Sequence, residues 1–335
     1  MTAVRLVIAR RGHSLSRPDK DRGGGAMSTA TRGRPFAHPA LFYRGEEQYT
    51  AGTVPFLREG LAAGEAVAVA VPGPHLDLLR AGLGAGADSV RFLDITEVGR
   101  NPGRIIPGVL RAFADAHAGR RVRIVGEPMW PGRSAVEYPA CVQHEALINS
   151  AFADRDVTIL CPYDADRLAP GVLADARTTH PVLIDGDARL PSAAYDPQGA
   201  IARYNEPLPH PPGAASVVFD AGELPKSRYF AVQEAERLGL AGVRLQDLTL
   251  AVAELTTNSV LHGGGSGTLR IWAEDGRIVC EVRDQGRFMD ALAGRRPASR
   301  DQPGGRGLLL VHHIADLVRV HTAPDGTTIR FYLTR

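Results

Sequence analysis

Residues 248–263 read LTLAVAELTTNSVLHG, a stretch with the periodicity of an amphipathic helix. Apolar residues such as Leu248, Val252 and Leu255 recur every three or four positions, which is typical of a helix face packed on a core. A carboxylate, an amide and an imidazole recur every four positions and therefore share the neighbouring face. These residues are Glu254, Asn258 and His262. The pattern predicts a helix over 243–262 that forms one wall of a polar cleft.

Three glycine-containing motifs follow this helix along the chain. Asp284-Gln-Gly286 ends an apolar strand, where a carboxylate can accept hydrogen bonds from an exocyclic amine and glycine allows close approach. Gly304-Gly305-Arg306-Gly307 leads into a predicted helix, whose N-terminus favours phosphate. Asp325-Gly-Thr-Thr328 opens the last predicted strand. A Rossmann site is not indicated, because Leu310 occupies the position of its third glycine.

The scarcity of lysine excludes one kind of nucleotide site. Only Lys20 and Lys226 are lysine, and the other 37 of the 39 basic residues are arginine. A Walker A loop needs glycine before its lysine, whereas these two follow Asp19 and Pro225. A nucleotide site in this chain must therefore hold phosphates without a P-loop.

The order of these motifs resembles the N, G1, G2 and G3 boxes of the GHKL (Bergerat-fold) ATPases over residues 214–335. That superfamily binds ATP between a sheet and the N-box helix without a P-loop. The resemblance implies that Asn258 ligates Mg²⁺ and that Asp284 binds the adenine amino group, with Gly286 allowing the base to approach. It also places phosphates against Gly305, Gly307 and Leu308, and adenine near Thr327 or Thr328.

Within the superfamily, residues 248–263 and the run Gly-Gly-Arg-Gly-Leu look most like the anti-sigma-factor serine/threonine kinases. This family binds a sigma factor and phosphorylates an anti-anti-sigma partner of the STAS fold. A histidine kinase is disfavoured, since His210 lies between prolines and cannot sit in a phosphoacceptor helix. Two alternatives stay open, namely an inactive ATP-binding module that only sequesters its partner, and an atypical sensor histidine kinase.

The kinase resemblance gives two residues catalytic roles. Glu254, one turn before Asn258, is placed to accept the proton of the attacking hydroxyl, or else to orient Asn258 or a water. Arg306 would stabilise charge on the γ-phosphate. His262 is interpreted as a residue stabilised by the helix C-terminus rather than a catalytic one.

The pattern of apolar runs divides the chain into two domains. From residue 36 to residue 205, β-branched runs alternate with helical stretches, which predicts a three-layer α/β domain with a mostly parallel sheet. A proline-rich linker spans 206–215. Residues 216–335 carry antiparallel strands and packed helices, which predicts an α+β two-layer sandwich, with a hairpin at Asp275-Gly276. The predicted N-terminal strands are 66–71, 90–95, 122–127 and 157–162, and the helices are 76–83, 105–117 and 140–152.

The N-terminal domain resembles MEDS-type sensory domains, which look like RecA-type α/β domains without a nucleotide motif. The resemblance rests on His38-Pro-Ala-Leu-Phe-Tyr43, Gly126-Glu-Pro-Met-Trp130, residues 143–149, Cys161-Pro-Tyr-Asp164 and His180-Pro181. A small-molecule ligand is expected near the strand ends of the open sheet. Candidate ligand-binding residues there are His38, Glu127, Trp130, Glu137, Cys161 and Tyr163.

Composition limits the remaining function classes. A net charge of +2 is too balanced for a nucleic-acid-wrapping protein, so no direct nucleic-acid partner is expected. Three scattered cysteines and the lack of a signal sequence or a long apolar run favour a cytoplasmic protein without a membrane partner. Residues 1–35 read as a disordered basic arm. The kinase resemblance also implies a homodimer.

Overall fold

The N-terminal sheet has seven strands in the order β3-β2-β4-β5-β1-β6-β7. All neighbouring strands are parallel except β6 and β7, which form an antiparallel hairpin. The strands are β1 (Pro39–Tyr43), β2 (Ala66–Val71), β3 (Val90–Asp94), β4 (Val122–Gly126), β5 (Val157–Asp164), β6 (Val182–Asp185) and β7 (Ala188–Pro191). This computed structural model describes residues 36–297 and 305–335, so the predicted basic arm and Gly304 lie outside the described residues.

Helices cover both faces of this sheet. They are α1 (Gly45–Ala62), α2 (Gly73–Leu83), α3 (Ile95–Val98), α4 (Pro102–Arg104), α5 (Ala112–Ala116), α6 (Tyr138–Ala151), α7 (Pro170–Thr179) and α8 (Pro197–Arg203). A 3₁₀ turn spans Gly84–Ser89, and the predicted helix at 105–117 begins with a π-helical segment, Ile105–Arg111. Alternate strand residues enter two apolar cores, as Ala68 and Val69 do on β2. The predicted three-layer α/β architecture is confirmed.

The C-terminal sheet is antiparallel throughout, with the strand order β11-β12-β10-β9-β8. Its strands are β8 (Ala215–Asp220), β9 (Ser266–Glu274), β10 (Arg277–Asp284), β11 (Leu317–Ala323) and β12 (Gly326–Thr334). The helices are α9 (Leu224–Arg237), α10 (Gly242–His262) and α11 (Gly307–Ile314), with a 3₁₀ turn at Ala221–Glu223. They share one apolar core with the sheet, so the predicted two-layer sandwich is also confirmed.

The turn between β9 and β10 has the predicted hairpin geometry. Asp275 has a φ of 47° and Gly276 a φ of 74°. Positive φ at both central residues is the type I′ conformation, whose twist matches that of the flanking strands. The Asp-Gly pair therefore fixes the register in which Arg277 faces Glu274.

We call residues 36–204 the N-lobe, 205–214 the connector and 215–335 the C-lobe. The connector packs along β11 and β12. Arg330 donates to the carbonyls of Leu208 and Pro209 at 2.8 and 2.9 Å, and Asn205 exchanges hydrogen bonds with the Thr322 backbone. Among the described residues, no helix is long and apolar enough to cross a bilayer.

Candidate functional site

A cleft of ≈ 310 Å³ opens in the C-lobe between α10, the segment after β10 and the start of α11. That volume lies at the lower end of the range of small-ligand sites. It brings together most of the residues that the sequence singled out. Those lining it are Asn258, Asp284, Gly286, Gly305, Gly307, Leu308 and Thr327, with His262 at its edge.

Asp284 is held in place at the end of β10 by two donors. The Ser259 hydroxyl donates to Oδ2 at 2.6 Å, and the Gly286 amide donates to Oδ1 at 2.9 Å. The carboxylate is thereby oriented while it stays half-buried at the cleft wall. Sequence reasoning missed Ser259, whose role depends on the approach of β10 to α10.

Gly286 occupies a position where a side chain does not fit. A Cβ there would lie 2.7 Å from the His262 carbonyl oxygen and 2.8 Å from the Gly263 Cα, both backbone atoms. The Thr327 hydroxyl donates to the Gly286 carbonyl at 2.8 Å, so β12 fixes this segment from the other side. Residues alternate along a strand, and Thr328 accordingly lines a separate surface pocket beside Arg283. Of the two threonines predicted near adenine, only Thr327 lines the cleft.

Glu254 and Asn258 lie beside the first residue of α11. A Cβ on Gly307 would overlap the Glu254 carboxylate oxygen Oε2 and would lie 3.5 Å from Asn258 Nδ2. The absence of a side chain at Gly307 thus lets the helix terminus approach a carboxylate and an amide together. The predicted catalytic base and the predicted metal ligand consequently share one location.

The N-terminus of α11 faces the cleft. Gly305, with a φ of 79° that favours glycine, turns the chain toward the helix, and Gly307 and Leu308 line the cleft as its first residues. No side chain caps this terminus among the described residues. Its unpaired backbone N–H groups and the helix dipole favour an anionic group there.

Arg306 lines a different surface. It borders a groove between the lobes together with Arg104, Pro107, Leu309 and His313. Arg306 thus lies between two residues that line the cleft, Gly305 and Gly307, but lines the neighbouring groove itself. The sequence did not predict this groove.

The N-lobe contacts the other end of α11. Asn101 Nδ2 donates to the carbonyls of His312 and Ala315 at 2.8 and 3.2 Å, and Arg104 donates to the same two carbonyls at 2.9 and 2.8 Å. These donors satisfy carbonyls at the helix C-terminus, where a cation is favoured. Gly103 is packed so closely that a Cβ would overlap the His312 ring.

The segment 288–297, which follows β10 and lines the cleft, also packs into the N-lobe. Leu292 lines the cleft and at the same time belongs to the apolar core of the N-lobe, where it is 4% exposed. Three residues later Arg295 is also buried, and burial lowers its pKa to about 10. On the N-lobe side, burial lowers the pKa of His144 to about 3. One wall of the cleft is therefore built partly from packing with the N-lobe.

Helix α6 touches the outer face of the C-lobe sheet. Ala140 packs with Trp272, Val279 and Leu317 in a small apolar cluster. Just before α6, the Val136 carbonyl accepts a hydrogen bond from Arg319 at 3.0 Å. The N-lobe thus reaches both faces of the C-lobe through different elements.

The candidate ligand-binding residues of the N-lobe separate into distinct places. Glu127, directly after β4, is buried and accepts from Tyr43 at 3.0 Å and contacts His75 at 2.7 Å. Burial raises the pKa of Glu127 above its usual value. Trp130 stacks with Arg133, and Glu137 accepts from Ser134 at the start of α6. His38 and Cys161 contact each other inside the lobe, with Tyr163 buried nearby on β5.

Comparison with protein families assigns both lobes. Residues 37–181 match the model described as the MEthanogen/methylotroph, DcmR Sensory (MEDS) domain. Residues 217–333 match the histidine kinase-like ATPase domain. The chain therefore carries a MEDS domain followed by a histidine kinase-like ATPase domain. No curated protein matches it.

Two solved structures show limited similarity. The RsbU and RsbW domains of Rv1364c from Mycobacterium tuberculosis align with 17% identity and a TM-score of 0.29, over 38% of this chain and 33% of that one. The histidine kinase AdeS of Acinetobacter baumannii aligns with 11% identity and a TM-score of 0.23, over 36% of this chain and 67% of that one. The alignment thus spans only a third of the first relative.

Proposed function

We propose that this chain, in which a MEDS sensory domain precedes a histidine kinase-like ATPase domain, is an ATP-dependent serine/threonine kinase of the anti-sigma type. In this proposal it works in the cytoplasm, sequesters a sigma factor and phosphorylates a STAS-type anti-anti-sigma protein. The observation that carries the proposal is the meeting of Glu254, Asn258 and the uncapped N-terminus of α11 at Gly307. A carboxylate, an amide ligand and a phosphate-binding helix end are the groups that phosphoryl transfer to a hydroxyl requires.

The residues present fit ATP and Mg²⁺. The cleft presents the Asp284 carboxylate and the Asn258 amide beside the N-terminus of α11, which no side chain caps among the described residues. We assign the adenine to Asp284, Gly286 and Thr327, and the phosphates to Gly305, Gly307 and Leu308. Asn258 would hold Mg²⁺, which supplies charge neutralisation on the phosphate oxygens.

The protein's own contribution to the reaction is positioning and proton transfer. Glu254 accepts the proton of the incoming serine or threonine hydroxyl, a step that typically contributes about 10²–10⁴-fold. Amide groups at the start of α11 stabilise negative charge on the phosphates. Arg306 lines the neighbouring groove and would have to reach from there into the cleft to act on the γ-phosphate.

Two features favour serine or threonine as the acceptor over histidine in this chain. His210 lies in the connector between Pro209 and Pro211, outside any helix. The connector is also anchored to the C-lobe sheet by Arg330 and Asn205. A helix carrying a phosphoacceptor histidine is therefore absent from the connector, and an atypical histidine kinase would have to take its acceptor from another protein.

A protein partner is supported by the exposed face of α10. Val243, Leu250 and Leu261 are each about half exposed or more, and they recur on the helix face that also carries Glu254. An apolar stripe next to the proposed base suits a docking protein or a second copy of this chain. We assign this face to the STAS-type protein, because its serine or threonine hydroxyl must reach Glu254 on the same face.

Control by the N-lobe is proposed to act through α11 and the segment 288–297. Asn101 and Arg104 hold the C-terminus of the helix whose N-terminus is assigned to the phosphates. Leu292 joins the cleft wall to the N-lobe core. A ligand that shifts the N-lobe would then change the affinity of the cleft for nucleotide.

Phosphotransfer tests the proposal and its alternative. The chain is incubated with labelled ATP, Mg²⁺ and a STAS-domain protein from the same genome, and we expect acid-stable label on that protein. Glu254→Gln should lower transfer about 10²-fold or more while leaving nucleotide binding intact. ATP binding without transfer would favour the sequestering module, consistent with the position of Arg306, and acid-labile label would favour a histidine kinase.

A further inference from the structure

Four potential metal ligands meet inside the N-lobe, away from the nucleotide cleft. They are His38, Glu145, Cys161 and His180, all buried. His38 directly precedes β1, Cys161 lies within β5, His180 follows α7, and Glu145 comes from α6. Because β1 pairs with both β5 and β6, the sheet brings three of them together and α6 adds the fourth.

The distances between their atoms match those between ligands of a single ion. Glu145 Oε2 lies 3.3 Å from His38 Nε2 and 3.2 Å from His180 Nε2. Cys161 Sγ lies 3.4 Å from His38 Nε2, and one ligand atom from each residue falls within 4.8 Å of all the others. Zinc–ligand bonds of ~2.0–2.3 Å in a tetrahedron separate neighbouring ligand atoms by about 3.3–3.6 Å.

The carboxylate is close to both imidazoles but is not hydrogen-bonded to them. Glu145 Oε1 and Oε2 and His180 Nε2 lack hydrogen-bond partners despite complete burial. A buried carboxylate without hydrogen bonds is costly unless another positive group compensates it. These buried polar atoms therefore lie close together without a protein donor or acceptor that satisfies them.

The Nδ1 atoms of His38 and His180 each have a hydrogen-bond partner outside the cluster. His180 Nδ1 lies 2.9 Å from the Ala176 carbonyl oxygen, which can only accept, so Nδ1 carries the proton. His38 Nδ1 lies 3.3 Å from Asn149 Oδ1, and the Asn149 amide donates to the Thr179 carbonyl at 2.8 Å. In each neutral imidazole Nε2 then carries a lone pair that faces the cluster. In metal-bound histidines, likewise, one ring nitrogen binds the metal while the other donates its proton to a nearby oxygen.

We propose that His38, Glu145, Cys161 and His180 form a tetrahedral site for one divalent transition-metal ion, with Zn²⁺ as the fitting ion. Two neutral imidazoles, one carboxylate and one thiolate balance the charge of a divalent cation. The thiolate and imidazoles disfavour Mg²⁺ and Ca²⁺, which select oxygen ligands. With four protein ligands and complete burial the site is closed, which is typical of a structural metal rather than a catalytic one.

The test measures metal content and ligand identity in the full chain. The purified protein is stripped with a chelator, dialysed against Zn²⁺ or Co²⁺, and assayed by elemental analysis. We expect one equivalent per chain. Co²⁺ should give the visible absorption of a tetrahedral ion together with a thiolate charge-transfer band, and Zn²⁺ should raise the melting temperature of the stripped protein.

Cys161→Ser supplies the discriminating variant and Cys141→Ser its matched control, since Cys141 is equally buried but lies one turn away from Glu145 on α6. The charge-transfer band should vanish in the first variant and persist in the second. Less than about a tenth of an equivalent of either metal in the folded wild type would overturn the proposal. An unchanged Co²⁺ spectrum in folded Cys161→Ser would overturn it as well.

Discussion

The substitution Gly307→Ala should leave the stability of the protein unchanged or higher while it lowers the rate of phosphotransfer. Gly307 has no left-handed conformation to preserve, so alanine is tolerated by the backbone. A glycine-to-alanine change at a compatible helical position stabilises a protein by about 0.4–1 kcal/mol. The added Cβ would nevertheless overlap Glu254 Oε2, which is the far end of a flexible side chain and can move.

The expected loss of phosphotransfer depends on how far the added methyl group moves the Glu254 carboxylate. The Glu254 oxygen must move by about 1 Å to reach an ordinary van der Waals separation from the new methyl group. A misplacement of that size costs about 10²-fold in rate when the group is catalytic. We therefore expect Gly307→Ala to melt at or above the wild-type temperature while phosphotransfer falls about 10²-fold.

Thermal denaturation and phosphotransfer are measured on the same preparations, with Gly171→Ala as the control. Gly171 also lies in the first turn of a helix, α7, and a Cβ there would contact nothing within 4 Å. That variant should gain similar stability and keep full activity. Wild-type phosphotransfer by Gly307→Ala would refute the role given to the contact between α11 and Glu254.

Three further perturbations follow from the contacts described above. Ser259→Ala removes one of the two donors to Asp284 and should weaken ATP binding about threefold to tenfold by calorimetry. Gly103→Ala places a methyl group against the buried His312 ring and should destabilise the protein by about 1–3 kcal/mol in denaturant titrations. The pKa of His144 falls from 6.5 to about 3 in the folded protein, so the unfolded chain binds the extra proton below pH 6.5. His144 alone should therefore lower the free energy of unfolding by up to about 1.4 kcal/mol per pH unit from pH 6 to 4. Burial also lowers the pKa values of His38 and His312, so His144→Leu should reduce the measured slope by that amount without abolishing it.

The C-lobe was predictable because its signals are local. Helix α10 and strands β9 and β10 begin and end within two residues of their predicted limits, since apolar periodicity and an Asp-Gly turn define them. Asn258, Asp284 and Gly286 were predicted from motif order, and all three line one cleft. These three residues were predictable because the order and spacing of their motifs can be recognised in the sequence alone.

The N-lobe was less predictable because packing overrides local preference there. Helix α1 was missed, and it contains Pro55 within 18 residues, which local propensity disfavours. Strand β1 has only five residues and starts with proline, yet it lies between β5 and β6. The cluster of His38, Glu145, Cys161 and His180 has no local spacing, because its members meet only when those strands pair.

Titration calorimetry with MgATP tests the central assignment of the cleft most directly. Wild-type protein should bind one nucleotide per chain, and Asp284→Asn should weaken binding at least tenfold by replacing one acceptor oxygen with an amide donor. Asp325→Asn serves as the control and should bind like the wild type, because Asp325 is exposed in the turn between β11 and β12, where it pairs with Arg283. Equal affinity of wild type and Asp284→Asn, or no binding by either, would contradict the account.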